Sequence, residues 1–115
     1  MPPIKFGDVV VSAIPYSNLQ KTKYRPAIVI NSEEFYEFRS DILLLAVTSQ
    51  EQSPDTKMGR LIISGWKEAG LLKSSWFKPS VSVINHTLLD RKLGKLATDD
   101  ITSLKELLRK MIIFS

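Results

Sequence analysis

Cysteine is absent from this chain, and histidine occurs once, at His86. Without thiols there is no disulfide framework and no thiolate nucleophile, and a reducing compartment is the plain reading. A single imidazole excludes both a two-histidine acid–base pair and a multi-histidine metal site. Long apolar runs are missing too. The longest, residues 42–47, falls far short of the roughly 20 residues a membrane helix needs. The start, Met1-Pro2-Pro3-Ile4-Lys5, has no apolar signal core behind it. The expectation is an unprocessed cytoplasmic protein with no membrane contact and no cofactor or metal. No repeat, low-complexity segment or linker interrupts the sequence.

What is present fits one domain over residues 1–115, large enough for a core without staples. Sixteen Lys and Arg against twelve Asp and Glu give a net charge of +4. That excess favours encounter with a polyanion only mildly, because many small basic proteins bind no nucleic acid.

Residues 9–14 are rich in β-branched residues and end at Pro15, which reads as a first strand. Residues 15–24 form a polar loop with Lys21, Lys23 and no acid. A second strand runs over 25–30, and Pro26 near its start lacks a donor, as suits a beginning or an edge. Residues 31–40 read as a short turn of helix, and the uniformly apolar 42–47 as a strand buried on both faces. Residues 50–57 read as a loop, 60–63 as a short strand, and 64–70 as a brief helix capped by Ser64. In 78–84, Val81 and Val83 alternate with Ser80 and Ser82, the pattern of a half-buried strand. Residues 92–96 make a last strand, kinked at Gly94. The final helix carries Ile101, Leu104, Leu107, Leu108 and Met111 on one stripe, with Thr98 or Asp99 as cap. Many short strands, a terminal helix and no βαβ rhythm predict a mainly β fold, a small, strongly bent antiparallel sheet or barrel.

Two strand borders carry polar groups. Arg25 enters one strand in Arg25-Pro26-Ala27, and Thr48 leaves another in Val47-Thr48-Ser49-Gln50. A guanidinium matches two phosphate oxygens at once, so the pair suggests a phosphodiester site. Each residue also has an ordinary reading. Arg25 could form a surface ion pair, and Thr48 could hydrogen-bond backbone at a strand end. Lys21 and Lys23 could contact phosphate or only solvent. Tyr16, Tyr24, Trp66 and Trp76 are candidates for base stacking, with core or dimer packing favoured for Trp66.

These motifs, in order, resemble the MazF/PemK family of toxin endoribonucleases from bacterial toxin–antitoxin pairs. The match begins at Gly7-Asp8-Val9-Val10 and passes through the two motifs above. It continues in Ala69-Gly70-Leu71-Leu72-Lys73, Lys78-Pro79-Ser80-Val81 and Lys92-Leu93-Gly94-Lys95-Leu96. The resemblance implies an SH3-like antiparallel barrel with a C-terminal helix, a homodimer, and a cognate antitoxin. It also implies metal-independent cleavage of single-stranded RNA, in which the 2′-hydroxyl attacks phosphorus and leaves a 2′,3′-cyclic phosphate and a 5′-hydroxyl. The family's catalytic Arg and Thr fall on Arg25 and Thr48. Tyr16, Lys21, Lys23, Ser49, Gln50 and Lys78 are the candidate RNA contacts.

Such a reaction needs a base, charge stabilisation and an acid. A guanidinium suits the stabilising role better than proton donation, and a threonine hydroxyl is a poor base unaided, so positioning and electrostatics carry the expected catalysis. Two positions depart from the family. Many members have a Glu in the loop before Arg-Pro, whereas residues 18–24 hold no carboxylate. One branch has an Arg-x-Asp pair where Ser82-Val83-Ile84 stand here. The base is therefore unassigned, which keeps two alternatives in view: a weak or inactive relative that binds RNA or an antitoxin-like partner, and a gyrase-binding toxin of the CcdB type. CcdB toxins use a C-terminal Trp, and this chain ends Met111-Ile112-Ile113-Phe114-Ser115.

Overall fold

β-Branched stretches become strands wherever their backbone finds a partner, and here six strands do so in one antiparallel sheet. The computed structural model describes residues 4–15, 22–53 and 55–112; Tyr16 and Lys21 lie outside them. In chain order the elements are β1 (Asp8–Pro15), β2 (Thr22–Val29), α1 (Glu33–Arg39), β3 (Asp41–Thr48), β4 (Asp55–Thr56), β5 (Gly59–Arg60), β6 (Ile62–Ile63), β7 (Ser75–Asn85), β8 (Leu89–Lys95) and α2 (Thr98–Met111). The main sheet has the order β6-β7-β3-β2-β1-β8 and curls into a half-barrel, while β4 and β5 form a separate hairpin. The expected mainly β architecture with a terminal helix is the one found.

The sheet is apolar on both sides at its centre. One face carries Val9, Ile28, Leu45 and Phe77, onto which Leu104 and Leu107 of α2 pack; all six are fully buried. Burial of each leucine contributes about 1.5–3 kcal/mol. The other face carries Val10, Ala27, Val29, Ile42 and Leu44, with Tyr36 of α1 packed against them. Residues 42–47 thus serve both faces, as their unbroken apolar run predicts. Helix α1 starts where the Ser32 hydroxyl accepts from Phe35 N–H at 3.1 Å. It stops at Ser40, whose left-handed φ of 56° turns its N–H onto the Tyr36 carbonyl.

Four local expectations are corrected. Residues 64–70 form successive turns rather than a helix: Ala69 N–H reaches Gly65 O, but Gly70 and Leu71 reach back by three and five residues. Neither Thr98 nor Asp99 caps α2; the cap position is Ala97, without a side-chain bond. Asp100 is buried instead and accepts from the N–H groups of Ser64 and Gly65 at 3.0 and 2.8 Å, so it braces the turns against the helix. The alternation in β7 runs opposite to expectation, with Val81 44% and Val83 61% exposed and Ser82 half-buried. Ser82 pairs with Leu44 and shares its face, while Val81 and Val83 pair with Leu45 and Leu43 on the other; the two extra residues, Pro79 and Ser80, leave that parity unchanged. Finally, residues 60–63 divide between two sheets, Arg60 in the hairpin and Ile62–Ile63 beside β7.

Candidate active site

Pro26 has no N–H to give a neighbouring strand, and the β2–β3 ladder ends beside it. The paired residues are Val29–Leu44, Ile28–Leu45 and Ala27–Ala46, and no pair precedes Ala27. Extending that register by two residues sets Arg25 across from Thr48. Strand β2 itself begins earlier than expected, at Thr22, because its other edge stays paired to β1, with Arg25 opposite Ser12. The sheet therefore parts at the place where Arg25 and Thr48 face each other.

Lys78 joins them from the third strand. It pairs with Ala46, and Thr48 pairs with Trp76. Opposed residues in antiparallel strands share a face, so Lys78, Thr48 and Arg25 emerge on one side of the sheet end. The next two residues, Pro79 and Ser80, fall in the register shift, where a missing proline donor costs no ladder bond. Arg25, Thr48 and Lys78 border both a groove of about 1070 Å³ and a smaller hollow of about 170 Å³ behind it. They form the rim between the two.

The Thr48 hydroxyl accepts from Gln50 N–H at 3.1 Å. A hydroxyl has one proton and two acceptor sites, so this bond leaves the Thr48 proton for an outside acceptor such as a phosphate oxygen. Donation, rather than proton abstraction, is the role this geometry suits.

Ser49, Gln50 and Lys78 line the large groove with Arg25 and Thr48. Lys23 is exposed on β2, two residues from Arg25 and on its face, but does not line the groove. Among the aromatic candidates, Tyr24 lines it and is 66% exposed. Trp66 and Trp76 are half-buried and packed on the core, with Lys67 Nζ 5.8 Å from the Trp66 ring centre. His86 stands apart, its Nδ1 3.2 Å from Ser40 O and its ring edge-on to Tyr36.

The opposite wall comes from Gly70-Leu71-Leu72-Lys73. It is held by a close backbone approach: a Cβ on Gly70 would lie 2.5 Å from Leu93 O, and one on Gly94 2.6 Å from Ala69 O. That contact explains the glycine in each motif. Lys73, Asp90 and Arg91 also line the groove, and sequence reasoning gave none of them a role. The motif around Gly70 was the signal available for Lys73; Asp90 and Arg91 carried none. Among the described residues, no group of three or more His, Cys, Asp or Glu side chains is placed to hold a metal ion, and no helix is long and apolar enough to cross a membrane.

Solved structures share this architecture at low identity. An endoribonuclease from a mycobacterial species, in complex with its cognate antitoxin, matches with a TM-score of 0.73 and 10% identity. The alignment covers 95% of this chain and 94% of that one. MazF in the MazE–MazF complex of Deinococcus radiodurans matches at 0.72 and 12%, with 97% and 98% covered. The Mycobacterium tuberculosis toxin MazF-mt6 matches at 0.64 and 14%, with 89% and 94% covered. No curated protein matches the chain at significant sequence similarity. The family model for the PemK-like, MazF-like toxin of type II toxin–antitoxin systems matches residues 5–112. The chain belongs to that family.

Proposed function

We propose that this protein is the toxin of a toxin–antitoxin pair and a metal-independent endoribonuclease acting on single-stranded RNA. The observation that carries the reading is that Arg25 and Thr48 border one groove, just beyond the Ala27–Ala46 pair where the β2–β3 ladder ends. The 2′-hydroxyl attacks the adjacent phosphorus, the bond to the 5′-oxygen breaks, and the products are a 2′,3′-cyclic phosphate and a 5′-hydroxyl. Arg25 stabilises the charge gathering on the non-bridging oxygens. Thr48 keeps its proton and donates a hydrogen bond to one of them, fixing the attack geometry, while the 2′-hydroxyl proton passes to solvent water and the leaving 5′-oxygen takes one from it. Lys78 adds a second cation on the same face, Ser49 and Gln50 extend the RNA contact along the groove, and Lys23, Tyr16 and Lys21 are further proposed contacts. One histidine leaves no imidazole pair to share the proton transfers, so the rate is modest.

The neighbouring structures solved with an antitoxin support a partner of the same kind here; its occupation of the groove and a homodimer as the active form are what membership of the family implies. Incubation of the purified protein with a long single-stranded RNA in EDTA tests the reading. Fragments whose 5′ ends accept label from polynucleotide kinase without prior phosphatase treatment are the expected result. Intact RNA, or equal cleavage by Arg25→Ala, refutes it.

A further inference from the structure

The groove has a second chemistry beside its phosphate rim. Its floor is apolar, formed by Val11, Pro26 and Val47, and Tyr24 stands exposed at its edge. Among the described residues, one carboxylate lines it, that of Asp90. A carboxylate in a groove also lined by Arg25, Lys73, Lys78 and Arg91 repels phosphate, so its use must lie elsewhere.

A bulge explains how Asp90 reaches this position. Val11 pairs with Arg91 and Ser12 with Leu89, which leaves Asp90 as the extra residue between them. In regular strand, neighbours point to opposite faces; a bulge re-aims one of them. Here both Asp90 and Arg91 border the groove, and the Arg91 Nη1 atom stands 2.6 Å from Asp90 Oδ2. An exposed pair between sequence neighbours contributes little to stability. It does fix the order of polar atoms: Oδ1 accepts, Oδ2 accepts, and the guanidinium donates.

We infer that the Asp90–Arg91 couple reads a guanine base of the bound RNA along its Watson–Crick edge. That edge presents N2–H, N1–H and O6, two donors followed by an acceptor, and complements the couple atom for atom. Uracil presents acceptor, donor, acceptor. Cytosine presents one donor followed by two acceptors, and adenine a donor and a ring acceptor, so neither offers two donors to the two carboxylate oxygens, and uracil sets an acceptor against one of them; only guanine fills all three positions. Unstacked bases of single-stranded RNA expose this edge to side chains and stack on aromatic rings, and Tyr24 over an apolar floor offers such a surface. The inference rests on the RNA-cleaving reading of the same groove and adds its base specificity.

The test separates the two. A random-sequence RNA is cleaved by wild type, Asp90→Ala and Arg91→Ala, and the cut sites are sequenced. One position relative to the cut is expected to be enriched in guanine for wild type, and that enrichment is expected to vanish in both variants. Cleavage at guanine sites should fall roughly 5- to 150-fold, the value of one well-made base contact. Binding of the Arg25→Ala protein to a guanine-containing oligonucleotide, against the same strand with inosine, removes the N2 donor without needing catalysis. Weaker binding of the inosine strand, lost in Arg25→Ala/Asp90→Ala, supports the inference even if no RNA is cut. Equal binding of both strands, or unchanged guanine enrichment in Asp90→Ala, overturns it while leaving the cleavage reading intact. Thermal melting of each variant checks folding, and a cooperative melt near wild type is expected because Asp90 and Arg91 are exposed.

Discussion

Substituting Gly70 by alanine perturbs the wall of the groove without touching its polar groups. Gly70 has a φ of +89°, where an L side chain is strained; occupying that region costs about 1 kcal/mol. The added Cβ would also lie 2.5 Å from Leu93 O and 2.9 Å from Leu93 C, both backbone atoms that no rotamer change can move. Forcing the two segments apart costs about 1–3 kcal/mol more. Unfolding entropy of about 2.1 cal/mol/K per residue makes 1 kcal/mol worth roughly 4 °C in a chain of 115 residues. Gly70→Ala should therefore lower Tm by roughly 8–16 °C in differential scanning calorimetry. Gly59→Ala is the control. Its φ is +100°, yet the nearest atom to its Cβ is the end of Lys110 at 3.5 Å, so only the conformational cost of about 1 kcal/mol applies. Because Gly70 holds Leu72 and Lys73 against the groove, cleavage by folded Gly70→Ala should also fall roughly 10- to 100-fold, as misplacement of a binding wall does. Equal Tm losses for the two variants, with cleavage unchanged in Gly70→Ala, would refute both the close-approach argument and its link to the site.

Removal of the Arg25 side chain as Arg25→Ala should lower kcat about 10²–10³-fold, the usual loss of one charge-stabilising group. Arg25→Lys should recover little of it, since an ammonium lacks the planar fork; single-turnover cleavage measures both. Thr48→Val keeps shape and loses the donor, and should lower kcat about 10-fold or more, whereas Thr48→Ser should retain most activity; unchanged kcat in the valine variant removes the hydroxyl from the mechanism. Asp100→Ala leaves the N–H groups of Ser64 and Gly65 without their acceptor, at a cost of about 2–4 kcal/mol. A Tm loss near 12 °C is expected, against about 2 °C for Asp99→Ala, whose neighbouring carboxylate is exposed and acts only on the helix end.

Sequence alone singled out two residues that border the groove but not the groove's shape. Arg25 and Thr48 stood out because each is a polar residue at the border of an apolar run, and that property is local. Their opposition is not local: it depends on the β2–β3 register, which the hydrophobic pattern constrains only through face alternation. Helix α2 was legible because Leu104 and Leu107 recur at helical spacing, yet its cap was misplaced. Thr98 and Asp99 have the right chemistry, and Asp100 was drawn into tertiary bonds with Ser64 and Gly65 that no window of sequence contains. The valines of β7 misled for a related reason. Val81 and Val83 alternate with serines as buried residues do, but both stay exposed, because burial depends on what covers that part of the sheet, which no window of sequence contains.

Irregular pairing is also what turns an ordinary sheet into a groove with two chemistries. At one end, the β2–β3 ladder stops beside Pro26, and Arg25 and Thr48 beyond it border the groove. At β7, the shift after Lys78 keeps that lysine on the same face while the strand continues toward Asn85. At β8, the extra residue aims Asp90 alongside Arg91. In a regular β8 strand Asp90 and Arg91 would point to opposite faces; the bulge is what lets both border the groove. Each bulge costs ladder bonds, and the apolar burial on both sides of β1, β2 and β3 offsets that cost. The site is thus built at the sheet's ends, where pairing can be given up, and held rigid by a centre where it is complete.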